Sequence, residues 1–129
     1  MIERYTRKEI KDIWEDQNRY SIWLKIELAA AEAMEKLKII PKGIVKKIKS
    51  KAKINPKRIL QIEEKVKHDI IAFLTSITEK VGKEAKYLHK GMTSSDVLDT
   101  CYNLQLKKSG EILLKDCLLY TYPSPRDVP

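Results

Sequence analysis

Three consecutive hydroxyl residues stand before a helical pattern in the last third of the sequence. Thr93, Ser94 and Ser95 follow Gly91 and precede Asp96. A helix that begins here would point unpaired backbone amides at a ligand, and the hydroxyls would add donors suited to carboxylate or phosphate oxygens. The segment could therefore form an anion-binding cradle. Thr93 and Asp96 could equally form an ordinary capping box, which the spacing alone favours.

A second group with chemical potential is the run Lys67, His68, Asp69. A histidine next to a carboxylate and a lysine can act as a proton carrier or as an anion ligand. If the surrounding pattern is one continuous helix, His68 lies away from its apolar stripe and is not a core residue. An exposed histidine more often has no role, so spacing alone makes His68 a weak candidate.

The third group is Arg4 and Tyr5. Arginine offers a planar set of donors that matches phosphate, and tyrosine can add a hydroxyl or stack on a base. In isolation, an ordinary surface pair is the favoured interpretation of these two residues.

The elements that position these groups are helices. Apolar residues recur three and four positions apart, and no stretch has the alternation typical of a strand. Helix starts are marked by Thr6 with Glu9, a capping box, and by Asn55 followed by Pro56. The sequence predicts an all-α fold with helices after Thr6, over about 20–37, after Pro41, from about 56 to 81, and from about 94 towards 115.

The apolar stripes also predict the core. The longest stripe has Asp69 as the candidate position for a break and ends at Gly82, which favours a left-handed stop. Residues 83–91 are interpreted as a loop. The predicted inward residues are Ile10, Ile13, Trp14, Trp23, Leu24, Leu28, Ala30, Ala31, Met34, Leu37, Ile59, Ile62, Val66, Ile70, Phe73, Ile77 and Val81.

Composition narrows the class of protein. The 129 residues are 43% hydrophobic and 34% charged, which suits one domain of amphipathic helices. No run approaches the roughly 20 apolar residues that cross a bilayer, and the N-terminus lacks the apolar segment of a signal peptide. A cytoplasmic location is therefore expected. Cys101 and Cys117 have no metal-ligand spacing and predict no disulfide framework.

The net charge of +8 suggests an alternative, a small basic module that binds nucleic acid or a protein partner. Lysines are densest over residues 42–58. Between them, Ile44, Val45, Ile48 and Ala52 recur at helical spacing, and no aromatic residue is interleaved for stacking on bases. An amphipathic helix with a solvated basic face is the favoured interpretation.

The final stretch, 117–129, differs from the rest. It contains two tyrosines and three prolines but no lysine, and its apolar residues show no helical period. Its sequence resembles translated read-through of a sequencing adapter, so the native domain is predicted over 1–116 and a non-native tail over 117–129. An ordinary proline-rich tail is the alternative.

The three chemical groups occur together and in an order that resembles the adenylosuccinate lyase family of the fumarase/aspartase superfamily. Arg4 and Tyr5 resemble that family's N-terminal nucleotide contact, and Lys67 to Asp69 resemble its basic-His-Asp motif. His89, Thr93 and Ser94 lie in a stretch similar to its His-x-Gly-x-Thr-Ser-Ser-Asp motif, the most specific of the three. The resemblance covers residues 1 to about 116.

This resemblance implies reversible β-elimination of fumarate from adenylosuccinate, giving AMP, and from the succinylocarboxamide ribotide of purine biosynthesis. It implies a homotetramer with sites shared between subunits, a purine nucleotide as ligand, and no metal or organic cofactor. Arg4, Tyr5, Lys67, His68, Asp69, His89, Thr93 and Ser94 would be substrate-binding, and His68 would have a supporting catalytic role.

The resemblance also predicts what the chain lacks. The family's acid histidine and its flexible serine loop have no counterpart here, so the chain is expected to be an N-terminal helical domain, truncated at or within the start of the central helical bundle. Such a fragment is expected to be inactive alone.

Overall fold

The computed structural model describes the backbone of residues 3–121 and the side chains of residues 4–118. This part of the chain contains six α-helices, two short 3-10 helices and no strand, which confirms the all-α prediction. The α-helices are α1 (Lys8–Trp14), α2 (Asp16–Lys36), α3 (Ile44–Lys51), α4 (Pro56–Val66), α5 (Asp69–Val81) and α6 (Ser94–Thr121), and the 3-10 helices are Glu3–Tyr5 and Gly82–Tyr87.

An aromatic cluster forms the centre of the core. The ring of Phe73 on α5 lies 5.5 Å from that of Trp23 in an edge-on arrangement and stacks on Tyr20 at 6.2 Å. All three side chains are at most 2% exposed. Edge-on and offset ring pairs add to the free energy gained from burial. This cluster fixes α5 against α2.

Helix starts agree with the sequence in some places and differ in others. Asn55 caps α4 as predicted, because its side chain accepts a hydrogen bond from the Arg58 amide at 3.2 Å. At α1 the N-cap is Arg7, one residue later than the predicted Thr6. Helix α2 begins at Asp16, four residues before the predicted start, since only the extended residue Glu15 separates it from α1.

Two predicted inward residues, Leu37 and Val66, are exposed instead, at 71% and 43%. Each precedes a residue with left-handed backbone, Lys38 with φ of 60° and Lys67 with φ of 54°. A left-handed residue ends a helix and turns the chain away from the helix axis. The apolar stripes therefore stop before these two positions.

The lysine-rich segment forms the predicted amphipathic helix, α3. Ile44, Val45 and Ile48 are buried, and the helix follows Gly43, whose φ is 87°, so Pro41 lies outside its first turn. Glu35 at the end of α2 accepts hydrogen bonds from the amides of Gly43 at 2.7 Å and Val45 at 3.1 Å. These two bonds lower the pKa of the Glu35 carboxyl.

The long predicted helix is divided in two, close to the position expected from Asp69. Lys67 ends α4 and His68 caps α5. The two helices pack together and are bridged by Arg58 and Glu79, whose side chains are joined by hydrogen bonds of 2.6 and 3.0 Å. Part of the predicted loop over residues 83–91 is the second 3-10 helix, Gly82–Tyr87.

Helix α6 runs antiparallel to α1 and α2, because Cys101 near its start contacts the Arg19 carbonyl whereas Asp116, further along it, pairs with Arg7. The Gln105 side chain donates to the Ile13 carbonyl at 2.8 Å, and the Trp14 indole donates to the Ser109 hydroxyl at 3.0 Å. The helix continues to Thr121, so residues 117–121 are helical, contrary to the reading of 117–129 as a stretch without helical period. Leu118 and Leu119 favour a helix, and no proline interrupts the chain between Ser94 and Tyr122. Residues 122–129 lie outside the described part of the chain.

Candidate functional site

The N-terminus of α6 has a capping interaction and also leaves hydroxyl groups available to an anionic ligand. The Asp96 carboxylate accepts a hydrogen bond from the Thr93 amide at 2.7 Å, so Asp96 supplies the cap. The hydroxyls of Thr93 and Ser94 form no hydrogen bond with any described residue. Neither hydroxyl is among the buried polar atoms that lack a partner, so both are accessible to solvent. Both hydroxyls can therefore reach a ligand while the carboxylate maintains the helix start.

His89 lies five residues before α6 in a strained conformation. Its φ is 57°, in the left-handed region that few non-glycine residues adopt. The Glu27 carboxylate on α2 accepts a hydrogen bond from the His89 amide at 2.6 Å, and its other oxygen lies 2.7 Å from the His89 Nδ1. The His89 side chain is 21% exposed, whereas that of Glu27 is fully buried.

The group Lys67, His68, Asp69 forms the turn between α4 and α5. The Nδ1 atom of His68 accepts a weak hydrogen bond from the Ile71 amide at 3.4 Å. The Asp69 carboxylate accepts from the Ile70 amide at 2.6 Å and lies 3.5 Å from the His68 ring. His68 caps α5 at the break near Asp69 and does not lie on a face of one continuous helix, and its side chain is exposed, which confirms that His68 is not a core residue.

Asp69 is brought close to the beginning of α6. It lines a cleft of about 350 Å³ together with Leu98 and Asp99. At a rise of 1.5 Å per residue, Leu98 lies only about 6 Å along the axis from Ser94. The other lining residues are Trp14, Arg19, Trp23, Cys101, Tyr102 and Gln105. The fold therefore places the turn before α5 near the hydroxyl residues at the start of α6.

Arg4 and Tyr5 do not join this group. They form a cation–π pair in the first 3-10 helix, with the guanidinium 4.8 Å from the ring centroid, and Tyr5 is 74% exposed. Nearby, Arg7 forms an ion pair with Asp116 on α6. Asp116 is 22 residues after Ser94, which places it about 33 Å further along the helix. A ligand at the start of α6 would have to span most of that length to reach Arg4 and Tyr5 of the same chain.

Sequence reasoning missed Glu27, the residue that holds His89. A signal for it exists, because Glu27 occupies an inward position four residues from Trp23 and from Ala31, both of which are buried. A carboxylate within an apolar stripe requires a buried partner. The identity of that partner, 62 residues away, depends on the tertiary fold.

A larger groove, of about 1050 Å³, contains none of the predicted site residues. It lies between the end of α2 and α3 and is edged by lysines. Part of this charge is neutralised within the chain, since Lys49 pairs with Glu32, and outside the groove Lys51 at the end of α3 pairs with Glu84. Internal pairing reduces the attraction that the basic face would exert on nucleic acid.

Over the described residues, no group of three or more His, Cys, Asp or Glu side chains is arranged to hold a metal ion. Within the same part of the chain, no helix is both long enough and apolar enough to cross a membrane. The absence of a cofactor stays a prediction.

Comparison with solved structures identifies the class of protein. The crystal structure of fumarate lyase from Mesorhizobium sp. BNC1 matches 76% of this chain with a TM-score of 0.68 and 27% identity, over 24% of that protein's length. The chain therefore has the all-α fold of the fumarase/aspartase superfamily.

Sequence comparison is more specific. Adenylosuccinate lyase of Staphylococcus saprophyticus is 47% identical to this chain over 116 residues, which cover 90% of the chain and 27% of that enzyme. No protein-family model matches the sequence. The chain is thus related to adenylosuccinate lyase, as its motifs predicted, and it spans about a quarter of the length of the relatives it matches.

Proposed function

We propose that this chain is the substrate-binding N-terminal portion of an adenylosuccinate lyase subunit. The reaction would be β-elimination of fumarate from adenylosuccinate and from the succinylocarboxamide ribotide of purine biosynthesis. The observation that carries the proposal is the identity of 47% to an adenylosuccinate lyase over 90% of the chain. The accessible hydroxyls and histidines near the start of α6 support it.

Each residue would have a distinct role in binding. Thr93 and Ser94 would donate hydrogen bonds to oxygens of the anionic substrate at the positive end of α6. His68 and His89 would orient the substrate and help to neutralise its charge, with Lys67 and Asp69 in the same turn as His68. The negative Asp96 opposes an anion here, so the cationic side chains have to offset it.

Arg4 and Tyr5 would bind the nucleotide end in a site shared with another subunit. The separation of about 33 Å between Ser94 and the turn of α6 that meets Arg7 supports this arrangement. A homotetramer in which one subunit contributes the α6 start and another contributes Arg4 and Tyr5 would bring both groups to one ligand. The proposal also includes a cytoplasmic location and a purine nucleotide as partner.

The chemistry itself would depend on groups outside these motifs. Elimination needs a base for the proton beside a carboxylate and an acid for the departing amine. None of the motif residues here matches the acid histidine or the flexible serine loop of the adenylosuccinate lyase family. His68 would only support the reaction. The isolated chain would therefore bind without turnover. We retain a native domain over 1–116 and a foreign tail over 117–129 as part of this proposal.

A titration of nitrogen-15-labelled chain with adenylosuccinate tests the binding role. The amides and side chains of His89, Thr93 and Ser94 should shift, and Thr93→Val should weaken binding by about tenfold, because one hydrogen bond to a charged group is lost. The matched control is Thr75→Val, an exposed helical threonine of α5 whose hydroxyl donates within its own helix. Equal affinities for the two variants would refute the role of Thr93.

The alternative, a basic nucleic-acid module, makes a different prediction. It requires binding to DNA or RNA that weakens steeply with salt through the exposed lysines of α3. Strong salt-dependent binding of duplex DNA, together with no shift on addition of adenylosuccinate, would favour that alternative over the lyase.

A further inference from the structure

The Glu27 carboxylate is the most deeply buried ionisable group near the candidate site. Its side chain has no exposed surface, and it lies on α2 between buried Trp23 and Ala31. An unpaired carboxylate in such a place would be strongly destabilising. Both of its oxygens are used for His89, one by the backbone amide at 2.6 Å and one by the ring at 2.7 Å.

These two hydrogen bonds fix different features of His89. The bond from the amide holds a backbone whose φ is 57°, a conformation that persists only where its surroundings enforce it. The bond to the ring sets the tautomer. A carboxylate only accepts hydrogen bonds, so Nδ1 carries a proton in both the neutral and the positively charged ring, whereas Nε2 can donate to an anionic substrate only in the charged ring.

The other ring nitrogen is left for a ligand. No described residue forms a hydrogen bond with Nε2 of His89, and the atom is not among the buried polar atoms that lack a partner, so it is accessible to solvent. A ring whose Nδ1 is held by a carboxylate presents Nε2 in a fixed direction, as second-layer carboxylates do for histidines that bind metals.

We propose that Glu27 is a positioning residue that selects the Nδ1–H tautomer of His89 and aims its Nε2 at the substrate. The inference rests on the proposed function for the role of His89 as a substrate contact. The selection of the tautomer itself depends only on the contacts between the two side chains.

His68, the other histidine of the chain, provides an internal comparison. Its Nδ1 accepts the hydrogen bond from the Ile71 amide, so the neutral ring should carry its proton on Nε2. The two histidines are therefore expected to have opposite tautomers in one molecule.

Long-range proton–nitrogen spectra of the labelled chain measure this directly, with His68→Gln used to assign the two rings. Recorded from about pH 6 to pH 9, the range that spans ordinary histidine titration, the neutral His89 ring should show a protonated Nδ1 and a bare Nε2. A neutral His89 ring protonated on Nε2 in the unmodified chain would overturn the proposal without any variant.

Glu27→Gln tests the cause. The side-chain oxygen would still accept from the His89 amide, but the amide group of Gln would donate to Nδ1, so the ring should change to the Nε2–H tautomer. His68 should stay unchanged, and Glu64→Gln, an exposed change on α4, should leave both rings as they are. An unchanged His89 tautomer in a folded Glu27→Gln chain would contradict the mechanism.

Adding adenylosuccinate separates this inference from the proposed function. A shift of His89 Nε2 supports both. If the unmodified ring has the Nδ1–H tautomer but adenylosuccinate does not shift Nε2, Glu27 still positions the ring, while the assignment of His89 as a substrate contact fails.

Discussion

Replacement of Lys67 by glycine should stabilise the fold while weakening substrate binding. Lys67 has a left-handed backbone with φ of 54° and ψ of 33°, a conformation that costs a residue with a side chain about 1–2 kcal/mol. Glycine avoids this strain but loses about 0.5–1 kcal/mol more backbone entropy on folding. The net gain in the free energy of unfolding should be about 0.5–1 kcal/mol, or a rise of a few degrees in Tm.

The assay is urea and thermal unfolding followed by circular dichroism, together with adenylosuccinate titration of the same samples. Lys38→Gly is the matched control, because Lys38 also has a left-handed backbone but lies at the end of α2, outside the candidate site. Both variants should be stabilised, and only Lys67→Gly should bind substrate more weakly. A destabilised Lys67→Gly chain would refute the strain argument, and unchanged binding would refute a ligand role for Lys67.

Two further predictions concern the scaffold. Phe73→Ala should lower the free energy of unfolding by about 3–5 kcal/mol, because its fully buried ring contacts two other aromatic rings. The control Ile71→Ala, at a half-exposed position on the same helix, should lower it far less. Urea titration of both variants compares the two changes. Glu35→Gln should destabilise the chain at neutral pH, and this difference should disappear in acid. The lowered pKa of Glu35 means that its contribution is present above the ordinary glutamate pKa of about 4.3 and is lost as the pH falls through the folded value. A difference between Glu35→Gln and the unmodified chain that is the same at acid and neutral pH would contradict this reasoning.

Much of the fold could be predicted because its signals are local. The cap at Asn55, the amphipathic character of α3 and the start of α6 at Ser94 depend on residues within one or two turns. Helix ends were predicted less well, since the sequence gives no sign that Lys38 and Lys67 adopt left-handed backbone. Both are lysines, and glycine or asparagine is the usual residue at such positions.

The candidate site could be predicted only as separate groups of residues. Local patterns and a family resemblance identified His89, Thr93 and Ser94, but the Glu27 contact spans 62 positions and required the tertiary fold. Similarly, only the pairing of Arg7 with Asp116 revealed that Arg4 and Tyr5 lie far from the start of α6.

We propose that this chain binds the substrate of an adenylosuccinate lyase but does not transform it. Equilibrium dialysis of the purified chain against adenylosuccinate, followed by chromatography of the nucleotide from the protein chamber, tests both halves of this claim together. We expect an excess of intact adenylosuccinate with the protein and no AMP above the protein-free control. Formation of AMP and fumarate, or no excess of nucleotide over the protein-free control, would contradict it.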